Sequence, residues 1–230
     1  MKKIISILFL FLLCFICYYV YNLTEDKKLY VLSIGDNIAN NEYIKNNKQV
    51  STYNNDFINR DSRIIDLLNI IKYNEELDKN NKSVSIHQLL KKSDILIISI
   101  GMNDLYYKLN DNTKEIYTYL NNMIDNYEEI LKEINRYDYE KVFVLGYYNI
   151  SNKNNDIFTY INYKLKKITN NYDYTYLELN KILYNNQKYL LKKDNFYLNN
   201  DGYQQIYNLI VEKLKKTWYN IKWICYYDLY

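Results

Sequence analysis

Residues Ile95–Leu105, ILIISIGMNDL, carry an apolar run into a glycine and then into an asparagine–aspartate pair. Four aliphatic residues in succession, followed by Ser99, Ile100 and Gly101, read as a strand buried on both faces, as in a parallel sheet. Asn103 and Asp104 stand just past the turn, where strand gives way to helix. Two other stretches share the pattern: YVLSIG closes at Gly35 and VFVLG at Gly146. The chain has only 4 glycines in 230 residues. That three of them close such runs is therefore a positional signal.

Outward from these strands the chain alternates. Amphipathic segments at Arg63–Tyr73, Thr113–Arg136 and Asp156–Asn170 predict helices, and Tyr174–Leu179 predicts another strand, with a weaker one at Val50–Asn54. A last helix is expected over Tyr203–Trp218, with Ile206, Leu209, Ile210 and Leu214 on one stripe. The Asn/Lys/Asp-rich stretch Asn74–Lys82 reads as a solvated loop, and residues 219–230 as an aromatic tail outside the last helix's pattern. Strand–helix alternation of this kind predicts an α/β fold, a three-layer, doubly wound domain around a mostly parallel sheet, over residues 29–218. Ligands of such sheets bind beyond the carboxyl ends of the strands. The candidate site is therefore the set of strand ends: Gly35-Asp36-Asn37, Gly101-Met102-Asn103-Asp104 and Gly146-Tyr147-Tyr148-Asn149. Gly202, in the polar loop before the last helix, completes it.

Composition excludes several classes. The 30 tyrosines, single alanine (Ala39) and absence of proline track A/T-rich codons, so the bias is assigned to an AT-rich bacterial genome and not to function. Thirty basic against 27 acidic residues is too balanced for a nucleic-acid partner. Three cysteines and one histidine offer no metal-ligand spacing and no disulfide framework, and no cofactor is expected. The N-terminus speaks for export. Ile4–Tyr21 contains no charge, follows Lys2 and Lys3, and would span about 27 Å as a helix, close to a bilayer's hydrocarbon thickness. Residues 1–21 are expected to be a signal anchor with the C-terminal domain extracytoplasmic, joined through a linker at 22–28. A cleaved signal peptide is the alternative.

The four glycine sites occur in the order of the SGNH/GDSL hydrolase blocks, and over Leu29–Trp218 the chain resembles that family. Gly35-Asp36-Asn37 stands for the first block and Gly101-Met102-Asn103-Asp104 for the third. Asp194-Asn195-Phe196-Tyr197, with Gly202-Tyr203, stands for the last. The resemblance implies an SGNH-hydrolase or flavodoxin-like fold and esterase or lipase ancestry. It also implies an oxyanion hole from the backbone at 37 and the Asn103 side chain, with Asp194 as the orienting carboxylate. The nucleophile position holds Asn37 where the family has serine, and the base position holds Tyr197 where it has histidine. The second-block glycine has no counterpart; Asp61 or Ser62 falls there.

Those replacements decide the expected chemistry. A carboxamide is no nucleophile at neutral pH and a phenol is a poor general base there. Loss of nucleophile or base from a serine hydrolase costs roughly a million-fold in turnover. The only histidine, His87, is expected on a short helix at the opposite edge of the sheet, and Ser33 and Ser99 as core-packed hydroxyls. Asp36, Asp104 and Asp194 converging on one cleft could hold a hard cation; as turn residues, Asp36 and Asp104 would instead bond their own backbone. The leading expectation is a non-catalytic envelope module with an acyl or glycan ligand. The alternatives are a hydrolase with a non-standard nucleophile, Ser62 first, and an interaction domain with a vestigial cleft.

Overall fold

The glycine-closed apolar runs form the middle of a parallel sheet. The computed structural model describes residues 29–36, 52–58, 61–79, 82–109, 115–151, 153–191 and 196–227. Strands β1 (Leu29–Gly35), β2 (Thr52–Ile58), β5 (Ile95–Ser99), β6 (Lys141–Leu145) and β7 (Thr175–Leu177) make one five-stranded sheet in the order β2-β1-β5-β6-β7. Every pairing in it is parallel. All residues of β5, and all but one each of β1 and β6, are buried, as central strands covered by helices on both faces must be.

Counting only these strands, the order is 2-1-3-4-5, the flavodoxin-like winding whose switch point falls between the first and third. Here that crevice lies between the ends of β1 and β5, and the register sets Gly35 opposite Ser99. The helices between strands are α1 (Ile64–Tyr73), α2 (Ile86–Lys92), α3 (Met102–Leu109), α4 (Ile116–Ile134), α5 (Asn155–Asn170) and the short α6 (Asn180–Leu183), with α7 (Asn200–Tyr227) last. The helix α4 buries Leu120, Ile124, Tyr127, Leu131 and Ile134, a stripe at alternating four- and three-residue spacing, and packs against α1 and α5.

Two expectations need correction. Asn74–Lys82 is not a loop throughout: β3 (Glu76–Lys79) and β4 (Lys82–Ser85) form an antiparallel hairpin apart from the main sheet. Asn74, at φ 52°, ends α1 in the left-handed conformation that asparagine tolerates, and the Ile86 amide bonds the Glu75 carbonyl to close the hairpin's base. Its register contains a single apolar pair, Leu77 opposite Val84, so hydropathy carried little signal. The last helix also runs past Trp218 to Tyr227, because no proline or glycine follows Gly202 to stop it. Among the described residues no helix is long and apolar enough to cross a membrane; the expected anchor at 1–21 and the linker at 22–28 lie outside them.

Gly35 is a positional necessity. At φ 118° it turns the end of β1 so that the Asp36 amide bonds the Ser99 carbonyl at 2.7 Å, and a Cβ there would overlap that carbonyl oxygen. Gly35→Ala combines backbone strain with a main-chain collision. It is expected to lower the free energy of unfolding by at least about 2 kcal/mol, read as a reduced urea midpoint.

Candidate functional site

At the switch point the side chains are joined across elements. Asp36 is buried, and its Oδ1 accepts the Ser99 hydroxyl at 2.9 Å. Ser99 is the buried hydroxyl that the sequence predicts, and its partner is the carboxylate that follows Gly35. Gly101, at φ 106°, makes the corresponding turn at the end of β5; a Cβ there would stand 2.5 Å from the Tyr147 hydroxyl. That hydroxyl donates to the Ile100 carbonyl at 3.1 Å, tying the β6 edge to the β5 edge.

The next two side chains reach the start of α1. Asn103 Nδ2 donates to the Ser62 carbonyl at 2.9 Å, and the buried Asp104 accepts the Ile64 amide at 3.0 Å through Oδ2. Asp104 thus satisfies one of the amides that a helix N-terminus leaves unpaired. Burial raises its carboxyl pKa above the ordinary carboxylate value, opposed by the Ile64 amide and the Arg63 guanidinium. Asp36 and Asp104 therefore do not simply bond their own turns: each reaches another element. Among the described residues no group of three or more His, Cys, Asp or Glu gathers as a metal site would require.

Tyr197 reaches the same edge from the loop before α7. It is half-buried, and its hydroxyl donates to Asp61 Oδ1 at 3.4 Å, immediately before Ser62. Its ring lies on Phe196, with centroids 4.5 Å apart, and Phe196 stacks on Tyr106 of α3 at 4.6 Å and 15°. The Tyr148 hydroxyl donates to the Phe196 carbonyl, holding the loop from below. Burial pushes the hydroxyls of Tyr106, Tyr147 and Tyr148 upward, so these phenols stay neutral and none supplies a base at neutral pH.

The remaining glycines admit close neighbours. At Gly146 a Cβ would overlap the Tyr176 hydroxyl, which donates to Asn162 Oδ1 at 2.8 Å. The same Asn162 amide accepts the Tyr147 N–H and donates to the Tyr147 carbonyl, both at 2.8 Å. Gly202 passes the Tyr189 carbonyl at a distance that a Cβ would reduce to 2.7 Å, and its N–H donates to Asn199 Oδ1. His87 is where the sequence predicts, away from this edge on α2 and half-buried. Its Nε2 donates to the Ile71 carbonyl at 2.7 Å, which fixes the proton there because a carbonyl only accepts. Asn37 and Asp194 lie outside the described residues.

No protein-family model and no curated protein matches the chain. Solved structures do. The acetyl xylan esterase AlAXEase superposes with a TM-score of 0.61 at 14% identity, over 80% of this chain and 99% of that one. Axe2, an acetylxylan esterase from Geobacillus stearothermophilus, matches at 0.55 and 13%, over 80% and 93%. A GDSL-like lipase candidate from Parabacteroides merdae matches at 0.54 and 14%, over 81% and 95%. The chain has an SGNH/GDSL-like fold.

Within that fold, Tyr197, Asp61, Ser62, Asn103 and Asp104 form one connected run, with Gly35, Asp36 and Gly101 at the adjoining strand ends. Sequence reasoning did not find Asp61 as the partner of Tyr197, nor the stack of Tyr106 on Phe196. The one available hint was that Tyr106 lies three residues after Asn103, on the same face of α3.

Asp104 gives a test of how this edge is held. Its raised carboxyl pKa means that the folded chain binds the proton more tightly than the unfolded chain. Its contribution favours folding most at pH below the unfolded value and is lost as pH rises through the folded one. Asp104→Ala, which strips the Ile64 amide of its acceptor, should cost about 1–2 kcal/mol at neutral pH. Asp104→Asn keeps an acceptor without a charge, so it should melt no lower than the parent at pH 7 and lose that advantage below pH 4.

Proposed function

We propose that this chain is a membrane-anchored, extracytoplasmic SGNH/GDSL-hydrolase-like protein that has lost ester hydrolysis and acts as a binding or scaffold module of the bacterial envelope. The observation that supports it best is the state of Tyr197. At the family's base position stands a phenol, hydrogen-bonded to Asp61 and stacked into the Tyr106–Phe196 column. A general base must present an open lone pair to a nucleophile's proton. A phenol that donates its own proton to a carboxylate works in the opposite sense. The uncharged, lysine-preceded run Ile4–Tyr21 supports the anchor. The ligand class is an acyl ester or an acylated glycan, since two of the solved proteins sharing the fold are named as acetyl xylan esterases.

One observation favours a second reading, an active esterase with a substitute nucleophile. Ser62 is buried at the same edge, and its carbonyl holds the Asn103 amide. The two readings separate cleanly. Purified protein treated with a fluorophosphonate probe should show no labelled serine, and p-nitrophenyl acetate should turn over no faster than in buffer. Stoichiometric labelling of Ser62, abolished by Ser62→Ala, would establish the second reading and end the first.

A further inference from the structure

At the opposite edge of the sheet, where β6 and β7 begin, two pairs of tyrosines line one cleft. The loop before β6 supplies Tyr137 and Tyr139, with ring centroids 6.5 Å apart. The loop before β7 supplies Tyr172 and Tyr174, stacked at 5.7 Å and 25°. The Tyr174 hydroxyl donates to Asn135 Oδ1 at 3.2 Å and so joins one wall to the other. All four rings are half-buried and line a cleft of about 310 Å³, within the size range of small-molecule sites. The cleft belongs to the amino ends of the strands and is separate from the Asn103 edge.

Charge narrows what it could hold. Asp138, Glu140 and Asp173 stand exposed around it, and Lys141 is the one basic residue in the lining, so the lining is net negative. Arg136, nearby, is paired with Glu133 at 2.7 Å. Elsewhere in the described residues, lysine ammoniums lie over tyrosine faces: Lys92 over Tyr30 and Lys188 over Tyr189 at 4.7 Å, Lys108 over Tyr119 and Lys164 over Tyr160 at 5.4 Å. No such pair among them involves the four cleft rings. Half-buried tyrosine faces with a carboxylate rim attract cations twice over, through the ring quadrupole and through charge. A hard metal ion is a poor occupant, because no three acids converge there. Bulk, weak hydration and affinity for aromatic faces belong to methylated ammonium groups.

We propose that this cleft binds a small organic cation of the quaternary or methylated ammonium class. The rings supply the walls and Asp138 and Asp173 the counter-charge. The inference is independent of the catalytic state of the other edge.

Choline chloride is the probe, titrated into the full-length protein at constant ionic strength and followed by calorimetry and by the tyrosine ring signals in NMR. Its uncharged isostere, 3,3-dimethylbutan-1-ol, and xylobiose serve as comparisons. Choline is expected to saturate and to bind at least about tenfold more tightly than the isostere. Tyr172→Ala should abolish saturation. Asp173→Asn should weaken choline about threefold or more, with the fold retained, because residue 173 sits at φ 55° and asparagine tolerates that conformation as aspartate does. Overturning results are equal binding of the isostere, saturation by xylobiose in place of choline, an Asp173→Asn variant with parental affinity, or no saturation up to about 100 mM choline.

Discussion

The hydrogen bond from the Ile64 amide to Asp104 holds the switch-point edge in shape. It joins the helix that leaves β5 to the helix that follows β2, over 40 residues of sequence, and it does so inside the protein. A buried bond of this kind is costly to break, because the amide it satisfies has no water to turn to. Asn103, one residue earlier, repeats the connection to Ser62. With both in place, the start of α1 is fixed against the end of β5, and Asp61 is positioned to take the Tyr197 hydroxyl. On the other side, Asp36 is fixed against Ser99 by a second buried bond. At this edge the polar groups bind one another.

Much of this could be read from sequence, for physical reasons. Strands buried on both faces must be apolar throughout, so β1, β5 and β6 stood out. The glycines that close β1 and β5 are required by positive φ and close backbone contact, so they marked the turns as well. His87 could be assigned to the far edge because a helix that enters a parallel strand lies at its amino end. What escaped were contacts between residues distant in sequence and elements with little hydropathy contrast. Asp61 and Tyr197 are 136 residues apart, and nothing local in either announces the other. The β3–β4 hairpin is polar nearly throughout, and α7 continues through a stretch whose tyrosines and tryptophan break the apolar stripe without breaking the helix.

Tyrosine has become this chain's general-purpose residue. In the core, Tyr147 and Tyr148 bury a ring and spend the hydroxyl on a carbonyl. At the Asn103 edge Tyr197 donates its hydroxyl to Asp61. Before β6 and β7 four half-buried rings line a cleft bordered by acid. A compositional bias explains the abundance of the residue but not these placements, which follow from where a partner, a carboxylate or open space is available.

The most direct test of the proposal that a hydrolase site has degenerated here is to introduce together the two groups that the family resemblance expects at positions 37 and 197. In Asn37→Ser/Tyr197→His the hydroxyl and imidazole would join Asp194 and Asn103, which the family resemblance assigns as orienting carboxylate and oxyanion donor. Hydrolysis of p-nitrophenyl acetate by the double variant should rise measurably above both single variants and the parent, since nucleophile and base act as a unit. It should stay about 10²–10³-fold below a complete site for want of the second-block donor. A double variant that folds with the parent's melting temperature and remains as inert as the parent would contradict the claim that the hydrolase frame survives at this edge.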